Sequence, residues 1–247
     1  MAFFSGADAY DNFMGRYSGR LAVDFADYAG VQGGYVLDVG AGTGALTAEL
    51  LRRGCDVAAA DPSDSFIAAM AERFPGVDVR VAPAAEMPYA DGEFDAALAQ
   101  LVVSFISDPV AGIREMARVT KPGGTVAACV WDVGGGRAPF SPVWTSAHSL
   151  GLPDGGEDKL LGTKAGQLEE LSTQAGLEEV EGGEVSVRVE HATFDEWWEP
   201  FNHGVGPIGA YVASLDAEQK EALVEDVRGS FGNFTAVAWA AKGVVAS

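Results

Sequence analysis

Through its first half the chain alternates short apolar runs rich in β-branched residues with longer stretches whose apolar positions recur every three to four residues, the rhythm of a parallel sheet wrapped by helices. Residues 35–39 predict a first strand, and residues 46–53 continue a helix that begins at Thr43. Residues 57–60 predict a second strand. After Asp61 and Pro62, a helix runs through Phe66, Ile67, Met70 and Phe74, with Pro62 and Ser63 suited to starting it. Residues 77–81 alternate as a third strand and residues 94–101 form a fourth. An amphipathic helix over 110–119 comes next, and Pro122-Gly123-Gly124 breaks the chain before a fifth strand at 125–131.

The second half is less periodic. Gly134-Gly135-Gly136 and the stretch from Pro139 to Pro142 read as an exit from the sheet, and Phe140, Val143, Trp144 and Leu150 suggest a short cap helix. Residues 167–175 predict a helix ended by Gly176, residues 185–189 alternate as a strand, and residues 234–241 form a last strand. Between those two strands lies an aromatic-rich segment with Phe194, Trp197, Trp198, Phe201 and Tyr211, far longer than a hairpin loop of about 2 to 5 residues. It is expected to be a lid. The organisation expected is one domain over residues 1–247. A cap comes from insertions at about 132–165 and 192–230, and a leading helix lies at about 7–28.

Composition narrows the functions available. The 247 residues carry 16 Lys and Arg against 36 Asp and Glu, a formal net charge of -20. Such a surface repels a phosphate backbone, so nucleic-acid substrates are not expected. No apolar run approaches the roughly 18 to 20 residues that cross a bilayer, and the segment from Met1 to Gly6 lacks the basic start and apolar core of a secretion signal. Membrane insertion is not expected, and a cytoplasmic location is. Cys55 and Cys129 stand alone in apolar stretches without metal-ligand spacing, so buried thiols and no metal site are expected.

The candidate chemistry begins where the first strand ends. Gly40-Ala41-Gly42-Thr43-Gly44 runs directly into a helix, and glycines there let a ligand press against bare backbone. If Ala45 fills the last place, the spacing also satisfies the loose dinucleotide fingerprint, so the loop alone leaves NAD open. Asp61 lies about 20 residues further on, at the end of the second strand, where a carboxylate can hold ribose hydroxyls. A plain helix-capping role for Asp61 is the alternative.

With those residues in place, the chain resembles class I S-adenosylmethionine (SAM)-dependent methyltransferases, in the small-molecule branch that includes quinone-biosynthesis methyltransferases. The likeness rests on residues 36–47 with Asp38 two places before the first glycine, on Ala59-Ala60-Asp61-Pro62-Ser63, on residues 84–95, and on Arg118-Val119-Thr120-Lys121-Pro122-Gly123-Gly124. Residues 35–131 are covered, with four matches in register. The resemblance implies an α/β, doubly wound, Rossmann-like seven-stranded sheet, mostly parallel with an antiparallel last strand, plus a helical cap. It also implies SAM as cofactor and S-adenosylhomocysteine (SAH) as product.

The resemblance carries roles onto matching positions. Gly40, Ala41 and Gly42 are expected against the methionine part and ribose, with Asp38 orienting the loop and the methionine amine. Asp61 would hold the ribose, and the adjoining Pro62 is expected at the cofactor. Ala84 and Ala85 would frame the adenine, whose amine the family often holds with an Asp or Ser where this chain has Pro83. Gln100 and Leu101 would line the methyl-transfer end. The stretch Tyr10-Asp11-Asn12-Phe13-Met14-Gly15-Arg16-Tyr17 resembles the branch's leading helix, with Tyr17 and Arg16 as candidates to close over the cofactor carboxylate; a plain surface helix is the alternative.

Methyl transfer from a sulfonium needs alignment more than acid–base help, but a hydroxyl acceptor must lose its proton. Among His148, His191 and His203, His203 is the candidate base, because it sits in the aromatic lid beside glycines. The expected partner is a small-molecule acceptor methylated on oxygen, or else a peptide or natural-product carboxylate or amine. An NAD(P)-dependent oxidoreductase and a non-catalytic SAM-binding module remain as rival readings. Of Trp131, Phe140, Trp144, Trp197, Trp198, Phe201 and Tyr211, only a minority are expected to touch substrate.

Overall fold

A computed structural model describes residues 6–153 and 155–247; the terminal residues read above for a secretion signal lie outside the described residues, except Gly6. Seven strands form one sheet in the order β3-β2-β1-β4-β5-β7-β6. They are β1 Tyr35–Val39, β2 Asp56–Asp61, β3 Asp78–Val81, β4 Phe94–Gln100, β5 Thr120–Trp131, β6 Glu178–Val189 and β7 Phe234–Val244. Neighbours from β3 through β5 pair in parallel, whereas β7 runs antiparallel to both β5 and β6. The expected doubly wound sheet with an antiparallel last strand is what forms.

The central strands are apolar on both faces because helices cover both faces. On one side Val36, Leu98 and Cys129 meet Leu21 and Phe25 of α2 (Arg16–Ala29) and Leu46 and Leu50 of α3 (Ala45–Arg52). On the other, Leu37, Val39 and Ala97 meet Ile113 and Met116 of α5 (Pro109–Val119) and Leu168 and Leu171 of α7 (Gln167–Gln174). Both cysteines are buried and free. α4 (Asp64–Arg73) succeeds β2, with the Ser63 side chain capping its first turn by accepting from the Phe66 amide.

Two details differ from the expectation. The fifth strand begins at Thr120 rather than after the glycines. Phe94 pairs with Thr120 and Ala96 with Thr125, so Pro122-Gly123-Gly124 forms an irregularity inside the strand. It is held by Gly123 N–H donating to Val245 O and Val245 N–H donating to Gly124 O. The sixth strand likewise starts earlier, at Glu178, because β7 offers it a pairing edge over most of its length.

The leading helix is interrupted. α1 (Ala7–Tyr10) passes through a π-helical turn, Asp11–Gly15, into α2. Between β5 and α7 lie α6 (Ser141–Ser149) and a 3-10 turn, Glu157–Lys159. Between β6 and β7 lie α8 (Phe194–Trp198), a 3-10 turn Glu199–His203, α9 (Gly206–Ser214) and α10 (Ala217–Ser230). No described helix is long and apolar enough to cross a membrane.

Candidate functional site

At the carboxyl end of β1 the chain turns sharply because the Gly40 and Ala41 amides both donate to Ala60 O at the end of β2, at 2.7 and 3.1 Å. Two glycines are required by the fold itself. Gly40 (φ 66°) would bring a Cβ to 2.5 Å from the Val102 methyls, and Gly44 (φ 90°) would bring one to 2.4 Å from the Phe74 ring. Left-handed backbone and close approach both favour glycine there.

Asp61 ties this turn to the next strand. Its Oδ2 accepts the Gly42 amide at 2.9 Å and its Oδ1 accepts the Ser63 amide at 2.8 Å. Burial raises its pKa, while those two amide bonds act in the opposite direction. Each carboxylate oxygen keeps an unused lone pair. Asp38 lies one strand over and is fully enclosed. The Thr47 hydroxyl donates to it at 2.7 Å, and burial pushes its pKa to about 7.

The turn and Asp61 open onto a cavity of about 820 Å³. One end is walled by Gly40, Gly42, Asp61, Pro62, Ser63, Pro83, Ala84 and Ala85. Gln100, Leu101 and Val102 form the floor, and the other end is closed by Trp131 of β5 together with Phe140, Glu157, Leu160, Val205 and Ile208 of the cap. Leu101 has a left-handed backbone (φ 63°), an uncommon and strained state for a leucine. It redirects the chain from β4 into the 3-10 turn Val103–Phe105 along the wall. Gln100 donates from Nε2 to Ser18 O at 3.0 Å, and its Oε1 is buried without a hydrogen-bond partner.

The sequence-derived site residues therefore divide. Gly40, Gly42, Asp61, Pro62, Ala84, Ala85, Gln100 and Leu101 meet at one cavity. Asp38 and Ala41 stand behind the wall, supporting the turn through Thr47 and the Ala60 carbonyl. Tyr17 does not reach the cavity: its hydroxyl pairs with His191 Nε2 at 3.0 Å in a separate polar cleft shared with Arg16, Arg20 and Arg188. His203 does not line it either, since it ends the 3-10 turn after α8 half-exposed, with Nε2 at 2.5 Å from Glu199 Oε1. Of the seven aromatics singled out above, Trp131 and Phe140 line the cavity. Trp197 and Trp198 pack on Phe194, and Phe201 packs on both tryptophans, as the core of the lid.

Sequence reasoning missed several lining residues. From the leading segment Tyr10, Phe13 and Met14 reach the cavity, with the Tyr10 ring 3.8 Å from where a Gly42 Cβ would stand. Burial and the nearby Asp61 carboxylate raise the Tyr10 pKa to about 12, so it stays a donor. The segment is latched to the glycine turn: Thr43 Oγ1 donates to Asp11, and Arg73 donates to Asp11 Oδ2 at 2.7 Å and to Thr43 O at 2.8 Å. Glu157, on the turn after α6, was also missed. It is buried, accepts the Trp144 indole N–H at 2.7 Å, and has its pKa raised by burial to about 7.

Part of the chain is similar in sequence to known methyltransferases, and its fold is shared with solved ones. Residues 37–128 match the family model described as a methyltransferase domain. A demethylmenaquinone methyltransferase of Beutenbergia cavernae is 41% identical over 116 residues, covering 47% of this chain and 45% of its own. The chain spans between 40 and 55% of the length of such curated relatives. Among solved structures, a protein described as a methyltransferase from an antibiotic biosynthesis pathway of Anabaena variabilis superposes with a TM-score of 0.66 at 15% identity, covering 91% of this chain and 96% of that one. A phosphoethanolamine N-methyltransferase of Haemonchus contortus, solved with phosphomonomethylethanolamine and SAH, gives a TM-score of 0.60 at 19% identity and covers 98% of this chain and 57% of that one. At these identities the two structures speak to the fold.

Proposed function

We propose, proceeding from the match of residues 37–128 to a methyltransferase domain, that this protein transfers the methyl group of SAM to a small-molecule acceptor, with a hydroxyl oxygen as the receiving atom. The observation that carries the proposal is that one cavity joins the glycine turn and Asp61 to an apolar cap. The relative named for methylating demethylmenaquinone supports a small organic acceptor, and the SAH complex of the H. contortus enzyme supports the cofactor.

The residues present fit that cofactor. Asp61 spends one lone pair of each oxygen on the loop amides, which leaves acceptors for the two hydroxyls of a ribose. Gly42 meets nothing but the Tyr10 ring where its Cβ would stand, leaving a bare-backbone cradle. The orphan Gln100 Oε1 is an acceptor without a donor at the floor. Pro62, Ala84 and Ala85 would flank the adenosine, while Asp38 and Ala41 hold the turn from behind.

SAM, when bound, supplies a methyl group on a positively charged sulfur, which leaves as a neutral thioether. What the chain contributes is alignment and dryness. Tyr10, Phe13 and Met14 close one side, and Trp131, Phe140, Val205 and Ile208 close the other. Water is kept from the reacting atoms while an acceptor is held in line, a contribution that can reach several kcal/mol. The inserted segments 132–165 and 192–230 act as a cap over one domain.

Melting curves with SAM, SAH and NAD test the reading, since only a true ligand raises the midpoint by mass action. SAH and SAM are expected to raise it and NAD to leave it unchanged. A rise with NAD and none with SAH would make the protein an oxidoreductase instead.

A further inference from the structure

The cap end of the cavity is largely apolar, with the Thr163 hydroxyl turned to Leu160 O. Among the described lining residues the cap contributes a single ionisable side chain, Glu157, which is 7% exposed. Its Oε2 is fixed by the Trp144 indole N–H at 2.7 Å, and its Oε1 has no hydrogen-bond partner among the described residues. The setting is built rather than incidental. Gly155 lies so close to Trp144 that a Cβ there would stand 2.1 Å from the ring, and the Tyr211 ring packs against Trp144 with centroids 4.7 Å apart. The indole is thereby held with its N–H on the carboxyl group.

From this we infer that Glu157 is the proton acceptor for a hydroxyl-bearing, otherwise apolar acceptor in the cap end of the cavity. The inference rests on the methyl-transfer reading above and names the acceptor class of that same site. A cavity of about 820 Å³ lies near the top of the range for one drug-sized ligand, roughly 300 to 1,000 Å³, so a small aromatic alcohol fits beside a cofactor. The acceptor hydroxyl donates to Glu157 Oε1. As its O–H bond breaks the proton passes to Glu157, the oxygen's electron pair forms the new O–CH3 bond, and the former S–CH3 pair stays on sulfur.

Burial is the dominant influence on Glu157 and raises its pKa to about 7, with the Trp144 N–H acting the other way. No charged side chain among the described residues enters that balance. Lys159 lies on the same turn, and Tyr211 is the titratable group behind Trp144. A carboxyl group so poised is ionised on the alkaline side of neutrality and ready to take a proton there.

The test is equilibrium binding of 4-ethylphenol to the SAH-loaded protein by calorimetry at about pH 6 and about pH 8, in wild type and Glu157→Gln. A hydroxyl donating to an ionised carboxylate bonds about twice as strongly as to a neutral acid. Wild type is therefore expected to bind the phenol about fivefold tighter at the higher pH. Glu157→Gln is expected to lose that step. 4-Ethylanisole, which has no proton to give, is expected to show the opposite or no dependence. Trp144→Phe, which removes the donor to Oε2, is expected to move the step to higher pH. A phenol affinity flat with pH in wild type, or a step that survives Glu157→Gln, overturns the role of Glu157. SAH binding is measured first on both proteins: equal affinity shows that the variant is folded, and its absence from wild type sinks the methyl-transfer reading itself.

Discussion

Asp61 is asked to do two things with one carboxylate, and the geometry separates them. Its two oxygens each accept one backbone amide, from Gly42 and Ser63, so a neutral amide in its place satisfies one of them and turns an N–H toward the other. Asp61→Asn is expected to weaken SAH binding about 10- to 100-fold, the size of a lost charged hydrogen bond plus an unsatisfied donor. Titration calorimetry reads this directly, and an unchanged affinity would remove Asp61 from the cofactor site. Asp38 makes a different prediction because it is sealed away. Its pKa rises from 3.8 to about 7, so the folded protein binds a proton there that the unfolded chain has released. The resulting stability is complete below about 3.8 and is lost as pH climbs through about 7. Asp38→Asn does not titrate. Its melting temperature relative to wild type is expected to increase between about pH 5 and about pH 8, and a difference that shrinks over that span would contradict the burial argument.

At the scale of elements, the leading helix teaches most. Tyr10 and Tyr17 are seven residues apart, nearly the same face of an ideal α-helix with 3.6 residues per turn, and Tyr17 was expected at the cofactor because this stretch resembles the branch's leading helix. The π-helical turn Asp11–Gly15 adds a residue to one turn and rotates α2 relative to α1 by roughly a quarter turn. Tyr10 consequently faces the cavity and Tyr17 faces His191. No hydrophobic period announces such a turn. The latch that holds it is testable: Asp11→Ala removes the acceptor for both Thr43 and Arg73. Amide hydrogen exchange in residues 7–15 is expected to quicken about tenfold while α3 is unaffected. Equal quickening in both would mean that Asp11 supports the whole fold rather than this segment. The sheet, by contrast, was legible because its central strands are buried on two faces and punctuated by glycine, proline and acids. The glycine turn and Asp61 were legible for the same reason, being pinned to strand ends. Glu157 was not, since residues 151–166 carry no period and its importance comes from Trp144, which approaches it only in three dimensions.

At the scale of the whole molecule the excess of acid has a measurable consequence. With 36 acidic and 16 basic residues, the basic side chains are largely committed to close local pairs. Examples are Arg118 with Glu115 at 2.7 Å, Arg137 with Glu184 at 2.7 Å, Lys121 with Asp95 at 2.5 Å and Arg228 with Asp195 at 2.8 Å. The unpaired acids repel one another across the surface, which favours the expanded chain. Added salt works on both terms but not equally. The screening length falls from about 14 Å at 0.05 M to about 4 Å at 0.5 M, so it cuts repulsion between distant acids while leaving contacts under 3 Å mostly intact. Those exposed pairs are worth only about 0 to 1 kcal/mol each in any case. Loss of repulsion therefore wins, and the melting temperature is expected to rise by several degrees between about 0.05 and about 0.5 M NaCl, with KCl giving the same curve because only ionic strength matters. A calorimetric midpoint that stays level or falls across that range would show that the ion pairs, not the surplus of carboxylates, govern the electrostatics of this fold.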